Sequence, residues 1–453
     1  MFRRLAVFAG GFALERVGEV AGDATLDSWE TIDALAELVD RSLVEVDRGD
    51  SPRYRLPETA REYARLKLEG AGELVATQQR HAEAMARCMD AAYELFWTLP
   101  DRPWLERHVP ELDNVRVALD WATRAQPALA LRIIGSAGVL FMLLGQAPEA
   151  RRRFAALDGA ARAAGSSAAA ARYWLERSRL HWSVASDAMH DHAGRAVQHY
   201  RALGDSRGLA LALRCRLGSG VGSVGDATAL LDELASLVPA DAPPRLRAQR
   251  LMAEANVRRR AGRLADACQA WEALLALTTQ AGLDGMASAA LDGLAGARLA
   301  CGDVDAALAC AHRLIADPRS RRGNFLLRSL GTMAEAHLAR GQVGLARQAL
   351  TAFATASRSR DWEWLGCYST VFALLAACEG RTEDAARLLG YADRAAQQVI
   401  RDDEGTRARS QVLAAVQPAL DATALARCMA DGARMDEAGV CALALAEPGQ
   451  RPR

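Results

Sequence analysis

The 453-residue chain carries 56 basic and 56 acidic side chains, and this zero net charge removes any whole-molecule electrostatic case for binding nucleic acid or an anionic membrane. Its nine cysteines are scattered singly, without a CxxC pair, so they read as small buried residues of a reduced, cytoplasmic protein with no metal site. The most apolar stretch, Ala128 to Leu144, is broken by Arg132, Gly135 and Gly138 and falls short of the roughly 18 residues that span a bilayer.

The opening "MFRRLAVFAGGF" has too short an apolar run, Leu5 to Ala9, for an export signal. It predicts a short helix that carries Phe2, Leu5, Ala6 and Phe8 into a core and is stopped by Gly10 and Gly11, which tolerate positive φ. Helical spacing recurs over Leu14–Val20 and Trp29–Leu38. "SLVEV" and "RYRL" then flank the polar "DRGDSP" and predict a β-hairpin. A helix starting at Glu58 or Thr59 follows, with Tyr63, Leu66 and Leu68 as its apolar side. Three helices, a hairpin and a closing helix make a winged helix over 1–75. Beyond it the chain carries helical periodicity alone: linker helices over 76–126, a repeat body over 127–397, a helical cap over 398–446 and a disordered tail over 447–453.

The repeat body is marked by glycines at 145, 225, 262, 302, 341 and 380, with a weaker unit around Ser186. Seven residues before each stands a small residue (Gly138, Gly218, Ala255, Ala295, Ala334, Ala373), and five after there is usually alanine (Ala150, Ala267, Ala307, Ala346, Ala385). Small residues on both sides of a turn let two antiparallel helices pack closely. Large apolar residues further on (Phe154 and Leu157, Trp271 and Leu274, Leu350 and Phe353) plug each unit into the next. The fold class is therefore mainly α, a small winged helix followed by an α-solenoid of tetratricopeptide-like helix hairpins.

"FRRLAVFAGGF", "LAELVDRSLVEV", "YRLPETAREYARLKL", "RHAEAMARCMD" and "PELDNVRVALDWA", and near the C-terminus "ARLLGYADRAAQ" and "DGARMDEAGVCALAL", occur in a telling order. The chain resembles the C-terminal part of bacterial STAND-type signal-transducing ATPases and transcriptional regulators, where a winged helix, a linker helix and a repeat sensor follow the nucleotide-binding domain. No GxxxxGK[ST] is present, and Lys67, the sole lysine, lies in "RLKLEG" without a glycine loop. The resemblance therefore implies a truncated relative, a split gene product or a fragment, without cofactor and without enzyme activity. In some relatives a Met-His-Asp triplet follows the hairpin and approaches nucleotide phosphates. Leu56, Pro57 and Glu58 stand there instead, which puts direct nucleotide sensing in doubt.

Direct DNA binding by the winged helix is the rival function, and the local charge opposes it. The candidate recognition helix, Trp29 to Asp40, displays Glu30, Asp33, Glu37 and Asp40 with no basic residue, and residues 1–70 hold 10 basic and 14 acidic groups, a net of −4. Asp187, His190 and Asp191 read as a polar inter-repeat loop, Trp362 and Trp364 as plugs of a repeat joint, and Cys301 and Cys310 as buried thiols. No nucleophile has a base in view. Ligand contacts are expected on the inner faces of first helices, about 13, 10, 6 and 3 residues before each turn glycine. That register selects Gln249, Met252, Asn256 and Arg259, then Asp292 and Leu299, then Arg328, Glu335 and Leu338. The polar members, Gln249, Asn256, Arg259, Asp292, Arg328 and Glu335, are the candidate site for a protein, peptide or small effector, with a separate NTPase or DNA-binding subunit as a further partner. Arg347, on a second helix, is expected to lie outside it.

Overall fold

The structure is a computed structural model that describes residues 1–22, 28–47, 52–180, 187–317, 325–359, 362, 364–397 and 403–446. The expected hairpin tip, the weak repeat around Ser186, Asp361 with Glu363, and the expected tail therefore lie outside the described residues. Two compact units are defined, one of 1–180 with 195–209 and one of 181–194 with 210–453.

In the first unit a 3₁₀ helix, Phe2–Val7, precedes α1 (Leu14–Ala21), α2 (Ser28–Asp40), strands β1 (Glu45–Asp47) and β2 (Arg53–Arg55), and α3 (Glu58–Gly70). The strands pair antiparallel with Val46 opposite Tyr54. Neither Gly10 nor Gly11 uses the positive φ that glycine tolerates. The glycines let the chain come close to β2 instead: a Cβ on Gly11 would stand 3.3 Å from Arg53 Nε, and the next residue, Phe12, exchanges backbone hydrogen bonds of 2.8 and 2.9 Å with Tyr54. Leu5 and Phe8 are buried as expected. Tyr63 and Leu66 are not: they are 55% and 63% exposed, because α3 docks on the 3₁₀ helix along the narrow stripe of Ala64 and Leu68.

The linker helices α4 (Leu74–Phe96), α5 (Asp101–His108) and α6 (Leu112–Ala125) hold this winged helix firmly. Arg53 of the wing pairs with Glu111 at 2.8 Å and donates to the carbonyls of Gly11 and Pro110. Asn114 accepts from Ala9 N and donates to Gly11 O. Arg3 and Arg4 converge on Glu73. Buried Phe8 meets the His81 ring edge-on at 5.1 Å. Then come α7 (Pro127–Leu143), α8 (Ala147–Ala155), α9 (Asp158–Ala163) and α10 (Ala168–Arg179). The division between units falls within α11 (Asp187–Leu203) and α12 (Ser206–Gly218). Asp187, His190 and Asp191 thus belong to a regular helix, not the expected loop.

The second unit continues with α13 (Val224–Leu237), α14 (Pro244–Arg260), α15 (Leu264–Gln280), α16 (Asp284–Ala300), α17 (Val304–Ala316), α18 (Phe325–Ala339), α19 (Val343–Arg358), α20 (Leu365–Cys378) and α21 (Thr382–Ala395). Each of α14 to α21 packs on the next, and the alternate helices α14, α16, α18 and α20 also touch, which is the signature of stacked helix hairpins. The turn glycines 145, 262, 302, 341 and 380 have φ between 69° and 83°, a region L side chains avoid. Gly225 does not act this way: it lies inside α13, and Gly220 and Gly222 make the turn. Counted from Gly222, the residue five positions on is Ala227, buried like its equivalents elsewhere. Aromatic side chains lock successive hairpins by lying on glycines, Trp271 of α15 on Gly293 of α16 and Tyr368 of α20 on Gly331 of α18.

Ala255, Ala295, Ala334 and Ala373 are all buried where paired helices meet. Replacing Ala334 with phenylalanine should therefore overpack that joint and cost roughly 1–3 kcal/mol. A chemical-denaturation midpoint equal to wild type would contradict this register.

The C-terminal helices α22 (Asp403–Val416), α23 (Ala422–Gly432) and α24 (Glu437–Ala444) close the second unit against α20 and α21. Arg347 pairs with Glu379 at 2.6 Å and donates to the carbonyls of Leu445 and Ala446, while Arg381 pairs with the same carboxylate and donates to those of Leu443 and Ala444. Two guanidiniums thus cap the end of α24, where cations oppose the negative pole of a helix. Arg347 is therefore a structural tie, which the repeat register could not reveal. No helix among the described residues is long and apolar enough to cross a membrane.

Candidate functional site

The first helices of three successive hairpins, with α22, enclose a cleft of about 560 Å³ in the second unit. Its walls are Leu299 and Ala300 at the end of α16, Glu335 and Leu338 on α18, Leu374, Ala377 and Cys378 on α20, and Arg407, Gln411 and Ala415 on α22. Five of these follow one rule. Leu299, Leu338 and Ala377 stand three residues before turn glycines 302, 341 and 380, and Glu335 and Leu374 stand six before. The cleft is largely apolar, with one carboxylate and one guanidinium, a combination suited to an amphiphilic guest of moderate size.

The other expected contact positions do not line this cleft. Gln249 is almost buried, with its amide 3.9 Å from Met286 Sδ, and Met252 is buried with it. Asn256 and Arg259 are half-buried on α14. Asp292 is buried and ion-paired with Arg328, whose guanidinium also lies 5.3 Å from the centre of the Trp364 ring. Burial pushes the Asp292 carboxyl up, and Arg328 and then Arg259 oppose that rise. Arg328 is thus engaged within the protein. Of the six polar candidates, only Glu335 lines the cleft. Trp364 is buried beside α20, while Trp362 is half-buried at φ 58°.

Sequence reasoning missed Arg407 and Gln411, since α22 lies beyond the last turn glycine and outside the repeat register. A second cleft of about 440 Å³ lies between His190, Arg216, Asp226, Glu233 and Arg260. There His190 Nδ1 is 3.1 Å from Ser219 Oγ, and burial, then Arg216, lowers the imidazole's affinity for a proton. No group of three or more His, Cys, Asp or Glu placed to hold a metal occurs among the described residues.

Fold and cleft together define a winged-helix protein with a helical repeat body. Residues 1–69 match the family model described as "Winged helix-turn-helix domain". "Putative HTH-type transcriptional regulator Rv0890c" of Mycobacterium tuberculosis is 38% identical over 125 residues, covering 27% of this chain and 14% of that protein. "Uncharacterized protein Rv0894" of the same species is 42% identical over 84 residues, covering 18% of this chain and 21% of that protein. A solved STAND protein with a tetratricopeptide repeat sensor, from Pyrococcus horikoshii, matches with a TM-score of 0.41 and 12% identity, covering 95% of this chain and 64% of that one. The chain thus spans less than two thirds of each of these proteins.

Proposed function

We propose that this chain is a non-catalytic regulatory module of a STAND-type regulator, which takes a peptide segment or small effector in the cleft between α16, α18, α20 and α22. The winged helix relays occupancy to a separate NTPase or DNA-binding subunit in the cytoplasm. The observation that carries the reading is the cleft itself, built from equivalent positions of three repeats and closed by a helix outside the repeat. Glu335 suits an amine and Arg407 a carboxylate, while the leucines between them suit an apolar side chain.

The rival reading, direct DNA binding, is opposed by the chemistry of the winged helix. Glu30, Asp33, Glu37 and Asp40 of α2 are exposed, so the helix that would enter a groove presents carboxylates. On the wing, Arg53 is engaged by Glu111 and Arg55 by Glu45.

The test is a thermal-shift screen of short peptides and metabolites against the full chain, followed by calorimetry of the hits. Arg407→Glu should weaken a carboxylate-bearing hit roughly tenfold or more, since it removes a charge-assisted contact and adds repulsion. Ala377→Trp should block the cleft. Arg313→Glu, on the exposed side of α17, should leave binding intact. Hits insensitive to both cleft variants would remove the proposal, and salt-sensitive binding to duplex DNA, lost on Arg55→Glu, would put the rival in its place.

A further inference from the structure

Cys268 and Cys301, 33 positions apart, meet across a repeat joint. Their sulfurs are 3.9 Å apart, Cys268 being buried in α15 and Cys301 exposed where the chain leaves α16. The sequence had suggested that Cys301 was another buried thiol. It stands instead at the surface because the turn at Gly302 begins with it. We propose that this pair is an oxidant-responsive site, in which a peroxide converts the two thiols into a disulfide between α15 and the end of α16.

The geometry assigns the roles. A disulfide sets its sulfurs about 2 Å apart, so about 2 Å of closure is needed at the last turn of α16, where Cys301 is the C-cap and its N–H still bonds Ala297 O at 3.0 Å. Cys301 is the accessible partner, whereas burial, and then the neighbouring Cys301, push the Cys268 thiol up to about 11. Cys301 therefore meets the oxidant first. Its thiolate attacks the peroxide; an S–O bond forms, the O–O bond breaks and hydroxide leaves, giving a sulfenic acid, and the proton shed when the Cys301 thiol ionised turns that hydroxide into water. The Cys268 sulfur then attacks the Cys301 sulfur; the S–S bond forms, the S–O bond breaks, and the departing hydroxide takes up the Cys268 proton as water. Two thiols lose two electrons, and one hydrogen peroxide becomes two waters.

The Cys301 neighbours Ala300 and Gly302 both line the cleft, so the bridge would fix one of its walls. The chemistry itself does not depend on what the cleft binds. Cys310, the other thiol of this joint, is buried and raised by that burial, which leaves Cys301 the exposed member of the three.

The test treats the whole 453-residue chain with a modest molar excess of hydrogen peroxide, alkylates the remaining thiols and maps the linked peptides by mass spectrometry. The expected product is one intramolecular Cys268–Cys301 bridge, reversed by dithiothreitol and accompanied by a higher melting temperature. Cys301→Ser should abolish both changes. Cys268→Ala, checked for folding by circular dichroism, should leave Cys301 as a sulfenic acid that a dimedone probe captures. Continued alkylation of both thiols after peroxide, or a bridge to any other cysteine, would overturn the proposal.

Discussion

Replacing Gly432 with valine should release the C-terminal helices and lower stability by roughly 3–5 kcal/mol, and Gly390→Val should do the same from the opposite side. The two glycines lie where α21 and α23 cross. A Cβ at Gly432 would fall on the backbone carbonyl of Arg387, and one at Gly390 on that of Met429. Both obstacles are helical backbone, so no side-chain tip can swing aside, and the helices must separate. Separation would strain the ties that hold the cap nearby: Arg394 donates to the carbonyls of Ala433 and Met435, and Tyr391 donates to Glu437. Calorimetry should show a lower melting temperature, and hydrogen exchange should accelerate first in peptides covering α23 and α24. Gly344 is the control of opposite sign. It sits in α19 with open space around its missing Cβ, so Gly344→Ala should be neutral or stabilise by up to about 1 kcal/mol. A Gly432→Val protein as stable as wild type would show that the crossing is looser than described.

The two C-terminal motifs thereby gain a physical meaning, since "ARLLGYADRAAQ" contributes Gly390 and "DGARMDEAGVCALAL" contributes Gly432. Spacing alone could not pair them, because a contact between segments about 40 residues apart leaves no periodic trace. The repeat turns were legible where glycine is sterically required, and Gly225 misled because Gly220, Gly222 and Gly225 compete within six residues. Of the positions that the inner-face register selected, Leu299, Glu335 and Leu338 stand in the cleft wall. The register could not tell these from Asp292 and Arg328, which neutralise each other inside the protein. It could not reach Arg407, on a helix without the repeat. Tyr63 and Leu66 show the limit of helical apolarity: an apolar residue at helical spacing is as compatible with an exposed flank as with the stripe that packs. The approach of Cys268 to Cys301 needed coordinates, because neither spacing nor composition distinguishes it from any other two of nine scattered thiols.

The contact between the winged helix and α4 should weaken as pH falls below about 6.5, because His81 must remain neutral to stay where it is. Burial lowers its pKa to about 4, with Asn114 opposing, and Phe8 presses on its ring. A folded-state value below the unfolded one means that the unfolded chain binds the proton more readily. The contribution is therefore complete above about 6.5 and is lost as pH falls toward 4. At about 1.4 kcal/mol per pKa unit, the loss between pH 7.5 and pH 5 is roughly 2 kcal/mol. Glu73 acts in a separate, lower window: its hydrogen bonds from Arg3 and Arg4 hold it down to about 2, so its contribution fades only as pH falls below about 4.5. His108 is lowered by burial too, so the decisive quantity is the difference between wild type and His81→Phe, which keeps an aromatic ring against Phe8 but cannot take up the proton. Denaturant midpoints at pH 7.5, 6.5, 5.5 and 5 should fall more steeply for wild type, and hydrogen exchange should locate the loss in the 3₁₀ helix and α4. Direct NMR titration of the His81 ring gives an independent readout, with the imidazole still neutral at pH 5. Parallel stability curves, together with an ordinary titration near 6.5, would mean that the ring is hydrated and the joint is not sealed by Phe8.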